Sequence, residues 1–106
     1  MEYIQVITVA GSEEEAERIS KAVVENRLAA CAQILGPISS IYHWKGKMER
    51  AKEWLCLLKS RNDNYKELEK LICQLHSYEE QEILAVPVVK GSKSYLRWVK
   101  RELKQG

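Results

Sequence analysis

No stretch of the 106 residues approaches the ~20 consecutive apolar positions of a membrane span, and no repeat, linker or low-complexity segment divides the chain. Cysteine is scarce. Cys31, Cys56 and Cys73 are an odd number, lie far apart, and show neither C-x-x-C nor any other metal-like spacing. That pattern fits reduced thiols and predicts a cytoplasmic location. A dominant charge sign is missing too. Seventeen basic residues against fifteen acidic ones leave a net charge of +2, too weak to argue for nucleic acid or an anionic membrane surface. Met1 to Val6 carries no basic n-region and runs straight into a strand pattern, so no signal peptide is expected.

What remains is an ordinary globular composition, 45% apolar and 30% charged, in a length that suits one domain over 1–106. Tyr3 to Val9 reads as a strand. Ser12 opens an S-x-x-E capping box with Glu15, and Glu13 to Glu15 crowd a first helical turn, where the dipole favours anions. Ala16, Ile19, Val23 and Val24 form that helix's apolar stripe, which ends near Asn26-Arg27. Strand-type patterning then extends from Arg27 to Trp44. A straight strand of that length would run over ~50 Å, against a radius of gyration of ~13 Å for a compact domain of this size. The strand must therefore bend, project or pair with another chain, and Gly36-Pro37 supplies a bend.

Lys45-Gly46-Lys47 reads as a hairpin turn, and Met48 to Lys59 as the returning strand, apolar on both faces around Trp54 to Leu58. Asn62 or Asn64 is a candidate cap for a second helix that buries Tyr65, Leu68, Leu71, Ile72 and Leu75. Ile83 to Val89 is a further strand, with Pro87 pointing to an edge or an interrupted ladder. Gly91-Ser92 opens a terminal helix with Tyr95, Leu96, Val99 and Leu103 inward. The order βαββαβ with an added C-terminal helix predicts an α+β, ferredoxin-like antiparallel sheet with helices on one face. The other face then needs a cover, and self-association is the simplest one.

Val24-Glu25-Asn26-Arg27-Leu28-Ala29-Ala30-Cys31, Ser40-Ile41-Tyr42-His43-Trp44-Lys45-Gly46-Lys47, Leu58-Lys59, His76 to Ile83, and Gly91 with Tyr95-Leu96-Arg97-Trp98 together resemble the CutA family of divalent-cation tolerance proteins. The resemblance spans nearly the whole chain. Ser77 and Gln81 stand where the family's H-P-Y-E-x-P-E segment has prolines; Leu75 and Val9 stand where some members carry His and Cys. The resemblance implies a ferredoxin-like protomer in a homotrimer built through intersubunit strand pairing. It also implies a role in divalent-cation (copper) tolerance, binding of a metal ion or small effector at intersubunit clefts, a PII-like architecture and no enzymatic reaction. A PII-like sensor of a metabolite and a partner protein, or a mainly structural trimeric module, are the alternative functions.

His76 with Glu79 and Glu82 is the candidate set for a divalent metal, copper or zinc, since imidazole nitrogen and carboxylate oxygen suit such ions. A helix-end cap is the competing reading. Tyr42 and Trp44 at the arm's tip are expected first as interface anchors and second as ligand contacts. Within the resemblance, Lys59, Tyr78 and Trp98 join them in lining or bracing a cleft, with Lys59 paired to an anion or to Glu82. Glu13 to Glu15 and Glu79-Glu80 read as solvated caps, and the three cysteines as core.

Overall fold

The computed structural model describes residues 2–105. Strand β1 (Tyr3–Ala10) leads to helix α1 (Glu13–Glu25), then to the hairpin β2 (Cys31–Trp44) and β3 (Lys47–Arg61). A short 3-10 turn (Asn62–Asn64) precedes α2 (Tyr65–Leu75), β4 (Ile83–Pro87) and α3 (Lys93–Glu102). The strands form one antiparallel sheet in the order β2-β3-β1-β4, the arrangement expected from the element order.

The start of α1 follows its sequence signal: Ser12 is extended and its Oγ accepts the Glu15 N–H at 3.1 Å. Its end falls near Asn26-Arg27 as expected, but the strand does not follow at once. Arg27 adopts a left-handed φ of 56°, the Arg27 N–H donates to Val24 O and the Leu28 N–H to Val23 O. That crossed pair closes the helix as a Schellman motif with arginine in the usual glycine position. The segment 27–30 is therefore a helix-ending turn, and the strand begins at Cys31. At α2 the expected asparagine cap is absent. Asn64 makes no side-chain cap bond; its Nδ2 donates to Lys104 O at 3.0 Å and ties the helix start to the C-terminal segment.

Between sheet and helices, alternation puts Val6 and Thr8 of β1 opposite Leu58 and Cys56 of β3, all buried beneath Ile19 and Val23 of α1 and Leu68 and Ile72 of α2. The last helix lies elsewhere. Val99 and Leu103 pack with Ala30 and Tyr3, so α3 covers one end of the opposite sheet face, leaving Tyr95 exposed. The remainder of that face stays open. Leu35, Leu84 and Val86 are 48%, 55% and 43% exposed, beside half-buried Ile7, Leu55 and Leu57.

The hairpin β2–β3 is the longest feature of a molecule 44 Å long. Its loop is two residues, Lys45 (φ 51°) and Gly46 (φ 81°), both left-handed, as a type I′ turn requires. Midway, Leu35 pairs with Leu55 but Ile38 pairs with Glu53, so β2 spends three residues where β3 spends two. This bulge at Gly36-Pro37 reverses the parity of β2. Before it, Leu35 shares a face with Leu55; after it, Ile38, Ser40, Tyr42 and Trp44 do. Only glycine fits at the bend, because a Cβ on Gly36 would sit 2.2 Å from Cδ1 of Trp54.

Candidate functional site

A cavity of about 900 Å³ opens where the arm meets the end of β1 and the segment after α2. That is within the range of roughly 300–1,000 Å³ typical of small-molecule sites. The arm contributes Tyr42 and Trp44, the base contributes Val9 and Glu53, and the segment after α2 contributes Tyr78, Glu79 and Glu82. The bulge explains the arm's share, since without its extra residue Tyr42 and Trp44 would face away from Glu53.

The segment after α2 is held by three anchors. The Tyr78 N–H donates to His76 Nδ1 at 3.1 Å, so that nitrogen carries no proton and the ring's Nε2–H donates to Val9 O. Glu15, 6% exposed, accepts the Ser77 N–H at 2.8 Å on one oxygen and the Gly11 N–H at 3.3 Å on the other. Gln81 Nε2 closes the turn on Tyr78 O at 2.8 Å. Burial alone would raise the Glu15 carboxyl; the hydrogen bonds from Ser77 and Gly11 outweigh it and hold Glu15 below its ordinary value.

These anchors deliver Tyr78 to Glu53, its hydroxyl donating to Oε2 at 2.8 Å. Burial, then the bond to Glu53 and the charge of that carboxylate, push the Tyr78 phenol well above its usual range. Tyr78 is thus a fixed donor and an aromatic wall.

The residues expected to cooperate divide into two places. Tyr42, Trp44, Tyr78, Glu79 and Glu82 come together around the large cavity. Lys59 does not join them: it lines a separate cavity of about 320 Å³ with Gln5, Val86 and Tyr95, and its Nζ donates to Gln5 Oε1 rather than pairing with Glu82. Trp98 stacks beside Tyr95 with ring centroids 5.7 Å apart and packs on the Val99 cluster. In the smaller cavity the Tyr95 hydroxyl lies 3.5 Å from Cys31 Sγ; that hydrogen bond first, and burial second, push Tyr95 up to about 12.

The residues do not assemble a metal centre within one chain. The His76 side chain is fully buried and both ring nitrogens are engaged, so it offers nothing to an ion beside Glu79 and Glu82. Among the described residues no three His, Cys, Asp or Glu side chains are placed to hold a metal ion.

Two buried carboxylates were not foreseen. Glu15 was expected to be solvated, yet it lies four residues before Ile19 and eight before Val23, the spacing of the buried helical stripe. Glu53 shares the open sheet face with half-buried Leu55 and Leu57, and only the bulge and Tyr78 make that position a site.

The sequence profile described as "CutA1 divalent ion tolerance protein" matches residues 4–102. The chain belongs to this family. The divalent-cation tolerance protein CutA of Thermus thermophilus is 41% identical over 100 residues, covering 94% of this chain and 96% of that one. Mouse protein CutA is 42% identical over 88 residues, covering 83% of this chain; the match spans about half, 50%, of the mouse protein's length. Among solved structures, the Thermus thermophilus protein superposes with a TM-score of 0.93 at 38% identity, over 98% of this chain and all of that one. A structure described as the periplasmic divalent cation tolerance protein CutA of Archaeoglobus fulgidus gives 0.93 at 36% identity, over 96% and 99%. The family's names speak of tolerance to divalent cations rather than of a reaction. Among the described residues of this CutA-family chain, no helix is long and apolar enough to cross a membrane.

Proposed function

We propose that this CutA-family chain acts as a cytoplasmic homotrimer, without enzymatic activity, that serves divalent-cation tolerance by binding a small effector in the cleft between arm and body. The observation that carries this reading is the cavity itself. It is concave, walled by Tyr42, Trp44 and Tyr78, and held in shape by the bonds through Glu15, His76 and Glu53. Trimerisation is supported by the open apolar sheet face and by the two unpaired sheet edges, β2 and β4. A cytoplasmic location is supported by three free thiols.

The second reading places copper or zinc on His76, Glu79 and Glu82. It requires the imidazole to leave Val9 and Tyr78, two bonds that hold the cleft wall. A ligand of the native state raises the unfolding midpoint, so thermal-shift measurements across copper, zinc and small organic metabolites test both readings. An organic compound should raise the midpoint of the wild type, and Tyr42→Ala should abolish the shift. A shift that survives Tyr42→Ala, or one given by metals alone and lost in His76→Ala, overturns the effector reading.

A further inference from the structure

The cavity's lining has an unusual charge balance. Glu53, Glu79, Glu80 and Glu82 contribute carboxylates, and no lysine or arginine stands among the lining residues. Glu53 is the decisive one. It is only 6% exposed, Tyr78 satisfies one of its oxygens, and among the described residues nothing donates to the other and no cation pairs with it. Its second oxygen is not a desolvated orphan: it opens onto the cavity that Glu53 lines, where an incoming cation can reach it.

The walls tell which cation suits. A hard divalent ion needs a closed set of oxygen, nitrogen or sulfur ligands, and the described residues hold no group of three side chains that could supply it. Aromatic faces do not replace water around such an ion, whereas an organic ammonium is drawn to them through the ring quadrupole. Tyr42 and Tyr78 supply such faces around the cavity that Glu53 lines, and Trp44 already attracts an ammonium, Lys45 Nζ lying 5.8 Å from its ring centroid. We infer that the cleft binds an organic ammonium, its cationic group on the free oxygen of Glu53 and its alkyl part against Tyr42, Trp44 and Tyr78. The acidic rim of Glu79, Glu80 and Glu82 would draw the same charge inward. This rests on the effector-cleft reading above and narrows its ligand to one chemical class.

Isothermal titration of the intact protein with choline and with spermidine, using magnesium chloride as the charge control, tests it. At least one of the two amines should bind saturably, and magnesium should not displace it. Glu53→Gln retains an acceptor for the Tyr78 hydroxyl while removing the charge, and should weaken binding tenfold or more. Trp44→Ala, at an arm position whose side chain is half exposed, should do likewise without touching the buried bonds, which keeps the test valid if Glu53→Gln unfolds. Failure of both amines to bind, displacement by magnesium, or undiminished affinity in Trp44→Ala overturns the inference. If neutral or anionic compounds give the Tyr42-dependent thermal shift instead, the effector cleft stands and the ammonium assignment falls.

Discussion

Glu15 fastens two chain segments at once, accepting Ser77 N–H on one oxygen and Gly11 N–H on the other. Its carboxyl is held below the ordinary carboxylate range, so its contribution to stability is complete above that range and is lost as pH falls through the lower folded-state pKa. Glu15→Gln should destabilise the protein by about 1.5–3 kcal/mol at neutral pH, the range for hydrogen bonds to a charged group. It should also flatten the acid limb of the stability curve. Urea unfolding at neutral pH and at about pH 3 checks both, and a variant that loses stability with acid as steeply as the wild type contradicts this role. The residue scale is where sequence reading was weakest. Glu13, Glu14 and Glu15 look alike in a first turn, and only the phase of Ile19 and Val23 marks the third as inward. His76 likewise carries the residue type of a ligand, while its two backbone-directed bonds depend on where β1 ends.

At the scale of elements, the arm owes the facing of its tip to one extra residue. The bulge turns Tyr42 and Trp44 to the Glu53 side, and Gly36 lets the Trp54 ring lie across the bend. Gly36→Ala should cost about 1–3 kcal/mol through overpacking, read from the urea midpoint. Adding Trp54→Leu should recover part of that loss, because the clash is with the indole. Additive losses in the double variant would contradict the contact. The order of elements, the Ser12 cap, the Lys45-Gly46 turn and the Gly36-Pro37 bend were all legible, because each rests on local residue chemistry. The start of β2 was not. Arginine at a left-handed position carries no sequence signal comparable to glycine, so the patterning ran on into 27–30 as strand. The placement of α3 on the second face was also hidden, since its apolar stripe says that it packs but not on which side.

For the whole molecule, the unresolved demand is the open sheet face. Leu35, Leu84 and Val86 expose apolar surface in line with half-buried Ile7, Leu55 and Leu57, next to the cleft that the arm forms. A contiguous patch of this kind marks an interface in a stable soluble protein. The long hairpin, 14 and 15 residues in its two strands, supplies an unpaired edge for a second chain. Leu84→Glu, which places a charge in that face, should shift the assembly toward smaller species. The most direct measurement is light scattering coupled to size-exclusion chromatography on the intact wild-type protein at micromolar concentration. Three times the mass of one chain is expected, and a clean single-chain mass would contradict the proposal that further copies of the chain cover the open sheet face.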